Sequence, residues 1–200
     1  MKLFRKAVLG LTVVLGALIS SSASASVICS GCEYNGPSAT YLGSHSPLTS
    51  DQSSFTHTDL ADGAFSDWWI FKIDPAGLAG INAIFIPTFT ISGFDVKLYE
   101  VSGQTCAANT ATTGGNCSSL GVVGALVADG TTNPGFVTDI ALTFLNVGYY
   151  AFNVTGSVST SAISDLYSGN LTTTTVPEPA SLALVALSLV AGGLAMRRRA

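Results

Sequence analysis

The 200-residue chain has a net charge of −4, unevenly placed: between residues 26 and 176 eleven carboxylates face only Lys72 and Lys97, a net of −9. A surface this acidic repels phosphate backbones and excludes nucleic acid as a partner. Hydrophobic residues make up 48% of the chain, a figure raised by an apolar block at each end, and the roughly 150 residues between these blocks are the usual size of one domain.

At the start, Met1-Lys2-Leu3-Phe4-Arg5-Lys6 is positive, residues 7–19 are apolar, and the run closes on Ala23-Ser24-Ala25. These three parts predict a secretory signal peptide over residues 1–25, cut after Ala25, with Ala23 and Ala25 as the small residues at the exit. The thirteen residues of the apolar run are fewer than the roughly 17 to 25 a spanning helix needs, which disfavours a permanent anchor.

Export sets the reading of the cysteines. Cys29 and Cys32 form a C-x-x-C at the mature start, while Cys106 and Cys117 flank a Gly/Thr/Asn loop. An even count outside the cytoplasm reads first as disulfides. Pairing Cys106 with Cys117 closes a loop between two strands and stabilises it by about 2 to 3 kcal/mol through lost unfolded-state freedom. Cys29 with Cys32 is the second pair. Zinc binding needs reduced thiols, and a thioredoxin-like redox site needs a strand before and a helix after, contexts the sequence does not supply.

His45 and His57, both in Ser/Thr-rich surroundings ahead of the first strong strand, are expected in exposed loops. Over 65–73 the alternation places Phe65, Asp67, Trp69, Phe71 and Ile73 on one face, with Ser66, Trp68, Ile70 and Lys72 on the other. Segment 83–91 is strand-like, but Pro87 inside it predicts an edge or bulged strand. Over 94–101, Phe94, Val96 and Leu98 alternate with Asp95, Lys97 and Tyr99. Segment 120–128 is apolar enough for a core strand, weakened by Gly121 and Gly124. Ile140, Leu142 and Phe144 share a parity, as do Tyr150, Phe152 and Val154, with Asn146-Val147-Gly148 between them, which predicts a hairpin. A last strand over 166–173 runs into a Thr-rich linker, 172–176. Many short strands separated by turn residues predict an all-β domain over 26–171, an antiparallel β-sandwich of jelly-roll type.

Beyond the linker, Pro177-Glu178-Pro179 precedes the apolar residues 180–196 and then Arg197, Arg198 and Arg199. Seventeen residues at ~1.5 Å rise span ~25 Å, near the lower limit for a bilayer core. Terminal arginines then stay on the cytoplasmic side and leave the sandwich outside. A buried core helix could be equally apolar, but a terminal arginine cluster disfavours it.

This order of Pro-Glu-Pro, apolar helix and arginine cluster resembles the PEP-CTERM sorting tail of Gram-negative bacteria. The resemblance implies that residues 177–200 form a transmembrane sorting segment, recognised through Pro177, Glu178 and Pro179 by an inner-membrane exosortase that passes the protein outward. Two prolines keep that segment extended and free of backbone donors, a form an enzyme can grip. Phe65-Ser66-Asp67-Trp68-Trp69 is similar to the FxDxF motif of a PEP-CTERM subgroup, departing from it at Trp69.

No G-x-S-x-G, H-E-x-x-H or phosphate-cradling glycine loop occurs, so the expectation is a non-catalytic protein without a cofactor. A carboxylate pair for glycoside hydrolysis is set by fold and not by spacing, so it stays open. Asp67, set between inward aromatics, needs partners if buried; backbone N–H groups of a neighbouring loop are the first expectation. Calcium is the second, with Asp59 and Asp62 as companions, although no established calcium loop pattern is present. Trp68, pointing opposite to Trp69, is the candidate carbohydrate contact, with Tyr34, Tyr41, Tyr99, Tyr149 and Tyr150 as further aromatics for a sugar-binding face. The expected role is an exported surface or matrix protein, associated with exopolysaccharide or biofilm, whose partners are the exosortase, transiently the inner membrane, and a polysaccharide. A carbohydrate-binding module is the alternative, ahead of a polysaccharide-acting enzyme.

Overall fold

The computed structural model describes residues 26–35, 38–74, 78–109, 113–133, 137–159 and 165–175. The expected signal peptide with Ala23 and Ala25, and the sorting segment with Pro177, Glu178, Pro179, Arg197, Arg198 and Arg199, lie outside these residues. Among the described residues every regular element is a strand, and no helix is long and apolar enough to cross a membrane.

In chain order the strands are β1 (Ser26–Glu33), β2 (Ala39–His45), β3 (Asp51–His57), β4 (Gly63–Ile73), β5 (Ala79–Pro87), β6 (Ile91–Ser102) and β7 (Thr105–Cys106), followed by β8 (Gly115–Ser119), β9 (Val122–Asp129), β10 (Thr131–Asn133), β11 (Val137–Leu145), β12 (Gly148–Val158) and β13 (Tyr167–Thr175). They build a first sheet in the order β1-β3-β13-β5-β11-β10 and a second in the order β7-β8-β2-β4-β12-β6-β9. The expected sandwich forms, but it is not wholly antiparallel, because β1 pairs with β3 and β2 with β4 in parallel.

Aromatic side chains join the two layers. Phe55 of the first sheet lies 4.6 Å from Trp69 of the second, and Phe85 of the first 5.2 Å from Phe152 of the second, measured between ring centroids. Phe71 stacks on Phe152 at 5.1 Å and completes the row. Fully burying such rings contributes roughly 1.5 to 3 kcal/mol each. The Phe55 ring rests on Gly169 directly across the β3–β13 ladder, where an added Cβ would strike the ring. Glycine is therefore required there by space.

Three strands precede the segment from which the strand pattern is first legible. In β3 the inward set is Asp51, Ser53 and Phe55, so only one residue in three signals burial. In β2 the alternation is broken by Gly43, whose positive φ of 106° accompanies a register shift between Tyr41 and Ser44. The early histidines are consequently not loop residues. His45 is the last residue of β2 and fully buried, and His57 closes β3.

Five further expectations are corrected. β11 and β12 are consecutive but not a hairpin: β11 pairs with β5 and β10, and β12 with β4 and β6, so the turn at Asn146 and Val147 carries the chain from one sheet to the other. An extra residue between Ile140 and Thr143 then reverses the parity of β11. Ile140 and Leu145 point inward, while Leu142 and Phe144 are 56% and 55% exposed. β5 is interior, between β13 and β11, because Pro87 is its last residue and needs no ladder donor beyond it. β9 is an edge strand with Val122 and Leu126 exposed, and β13 continues through Thr175, so the threonines expected as linker belong to a strand in which Thr173 is buried.

Candidate functional site

Both expected disulfides form, Cys29 with Cys32 and Cys106 with Cys117. Cys29 and Cys32 are three residues apart yet both buried on the inner side of β1, which an unbroken strand cannot arrange. Gly31, at φ 65°, supplies the bulge, and its N–H donates to Ser54 Oγ at 2.8 Å. Cys106 and Cys117 face each other across the β7–β8 pair.

Asp67 is buried, and its partners are side chains instead of the expected backbone amides. Its Oδ2 accepts from His57 Nδ1 at 2.6 Å and from the Tyr167 hydroxyl at 2.7 Å. Trp69 Nε1–H donates to the Tyr167 oxygen at 2.7 Å. Tyr34 stacks on His57 at 4.6 Å, and Phe65 stacks on Tyr167 at 5.8 Å. Burial, then the Asp67 charge, push the Tyr167 hydroxyl well above its ordinary pKa, so it stays a neutral donor. The alternation of 65–73 put Phe65, Asp67 and Trp69 on one inner face, and all three meet here; His57 and Tyr167, from β3 and β13, complete the group and were invisible in sequence. The arrangement ties β4 of one sheet to two strands of the other.

The calcium candidates are not brought together. Asp67 is engaged by His57 and Tyr167, while Asp59 and Asp62 are exposed. Among the described residues no group of three or more His, Cys, Asp or Glu side chains converges to hold a metal.

Trp68 lies on the outer face of the second sheet, as the alternation predicts, but half-buried. It packs with Tyr41 and Tyr149 around the buried Ile70 and Ala151, its ring 5.8 Å from Tyr99 at 50°. Tyr41 and Tyr149 are 6.5 Å apart, with Lys72 Nζ 5.8 Å above the Tyr149 ring. The other two aromatics of the expected set go elsewhere, Tyr34 to His57 and Tyr150 inward against Phe71.

A groove of about 520 Å³ on the outer face of the first sheet was not anticipated. Its floor is a set of cross-strand rungs, Thr56–Ser168–Ile86 and Ser54–Asn170–Ile84, with Asn82 beyond. Each strand's outward parity was readable, but the β3–β13–β5 adjacency that assembles them was not.

Comparison with known proteins settles the segment after β13. The chain carries the PEP-CTERM protein-sorting motif at residues 175–199. The motif begins on the last residue of β13, so the sandwich abuts it without an intervening linker. It supports an exported surface protein sorted by an exosortase. No curated protein matches the sequence. Among solved structures, the chain is similar to the pre-peptidase C-terminal domain of collagenase from Bacillus anthracis, at 14% identity and a TM-score of 0.36, covering 68% of this chain and 99% of that one. It is also similar to CorA of Methylomicrobium album BG8, a surface-associated copper-binding protein important in copper acquisition, at 9% identity and a TM-score of 0.34, covering 72% and 98%. Likenesses this distant say nothing about what this chain binds.

Proposed function

We propose that the protein is a non-catalytic surface or extracellular-matrix component, of the FxDxF-like PEP-CTERM kind, delivered by an exosortase and associated with exopolysaccharide. The sorting motif fused to a disulfide-bonded, acidic sandwich carries this reading. In the delivery step Pro177-Glu178-Pro179 is the recognition element, residues 180–196 hold the precursor in the inner membrane as a transmembrane helix, and the three arginines stop it sliding through. Replacing Glu178 by Ala, or deleting Arg197, Arg198 and Arg199, is expected to leave full-length precursor in the inner membrane. Fractionation of the host reads the outcome; delivery of either variant to the surface at the level of the parent would end the assignment.

A second reading, a carbohydrate-binding module, is favoured by the aromatic outer face around Trp68. Half-exposed rings of Trp68, Tyr99 and Tyr149 offer apolar faces on which pyranose rings stack. Trp68→Ala is expected to weaken retention of the sandwich by the host's exopolysaccharide in affinity electrophoresis. An unchanged mobility shift in Trp68→Ala, with a lost shift in Asn82→Ala/Asn170→Ala, would move the site to the groove of the first sheet.

A further inference from the structure

The strand registers place both ends of the sandwich side by side. Ser26 pairs with Asp51, Asp51 with Thr173, and Thr175 with Ala79, so the chain enters and leaves the domain at one end. That end also bears the 46–50 loop, Leu78 just before β5 and the turn at Val147. Leu48, Leu78 and Val147 are all exposed there. On the adjoining sheet face, Leu142 and Phe144 converge with Thr174 over Gly80, where a Cβ would lie 3.1 Å from Leu142 and 3.5 Å from the Phe144 ring. Single exposed apolar residues are ordinary, whereas these gather at and beside the end from which the sorting segment departs.

Chain length then decides what covers the group. Only residues 176–179 separate Thr175 from the apolar block that starts at Ala180. At about 3.3 to 3.6 Å per residue they reach on the order of 15 Å even when fully extended. The headgroup layer takes up roughly 5 to 8 Å of that reach, so this end is held within about 10 Å of the headgroups. Of the carboxylates near this end, Glu100 opposite Tyr150 is exposed and Glu178 lies in the tether, while two others are already engaged. Asp51 is buried and accepts from Ser46 N–H at 2.7 Å and Thr49 Oγ1 at 2.9 Å, and Asp74 pairs with Lys72 at 2.9 Å.

We propose that in the membrane-anchored precursor this end of the sandwich rests on the bilayer surface through Leu48, Leu78, Val147, Leu142 and Phe144. The inference rests on the reading of residues 180–196 as a membrane anchor and adds the orientation of the cargo. The partner is the lipid interface itself, met by apolar side chains and not by basic ones.

The test uses the chain from Ser26 to Ala200, held by its own tail in phosphatidylethanolamine–phosphatidylglycerol vesicles. A photoreactive p-benzoylphenylalanine replaces Phe144, or Leu78 as a second probe of the same end, or Phe89, which is 85% exposed in the turn after β5 at the opposite end. Irradiation is expected to add lipid mass at Phe144 and Leu78 and none at Phe89. Absence of lipid adduct at both Phe144 and Leu78, in chains that resist carbonate extraction, overturns the orientation while leaving the anchor intact. Equal adducts at Phe144 and Phe89, or cross-links from Phe144 to a second copy of the chain, overturn it too. Release of the chain by carbonate removes the anchor reading and this inference together.

Discussion

His45 is fully buried. Its Nε2 meets Ser53 Oγ at 3.3 Å, its Nδ1 has no hydrogen-bond partner among the described residues, and its ring stands edge-on to Phe71 at 6.1 Å. Burial lowers its pKa from 6.5 to about 4, against the opposing pull of Asp51 and Asp74. A base whose pKa falls on folding binds fewer protons folded than unfolded between the two values. Its stabilising contribution is therefore complete above pH 6.5 and is lost as the pH drops toward 4, by on the order of 3 kcal/mol. His45→Phe should flatten urea-unfolding stability across that window relative to the parent; parallel pH slopes would refute the role. Sequence reading put this residue in a loop because Ser44, Ser46 and Ser53 conceal the burial of their neighbours. Hydropathy registers apolar side chains, and here the inward residues are Thr, Ser, Asp and His. Trp68 shows the converse: alternation gave its direction correctly, but its degree of exposure depends on Tyr99, which arrives from a different strand.

At the scale of elements, Asp67 belongs to β4 but its donors come from β3 and β13. The three strands are clasped through one carboxylate oxygen. Removing the acceptor leaves two donors in a largely buried site, so Asp67→Ala should cost about 3 kcal/mol in urea denaturation. The group acts as a unit, so Asp67→Ala combined with Tyr167→Phe should cost about 1 kcal/mol or more below the sum of the single changes. Strict additivity would show that the strands are not held through this oxygen. β4, β6 and β12 were legible because Trp69, Phe71 and Ile73, Val96 and Leu98, and Tyr150, Phe152 and Val154 each recur on one parity, even though Ile70 and Ala151 of the opposite face are buried too. β11 was misread for two physical reasons: a bulge reverses its inward set after Ile140, and its neighbour in sequence joins the other sheet. Neither a bulge nor a change of sheet leaves a mark in local hydropathy, since both are decided by which strands pair.

For the whole molecule, the two-layer all-β architecture and the sorting tail could be read early, because periodicity and the order of charged and apolar blocks are properties of the chain itself. The groove and the Asp67 clasp could not, because both depend on β13 lying between β3 and β5 at the far end of the sequence. That placement has a mechanical consequence. Tension applied through the tail enters at Thr175 and runs along the axis of β13, whose ladders to β3 and β5 lie across the direction of pull. The load is shared by both flanking strands in shear and does not peel one rung at a time. A pull on the last strand is therefore met by two ladders at once.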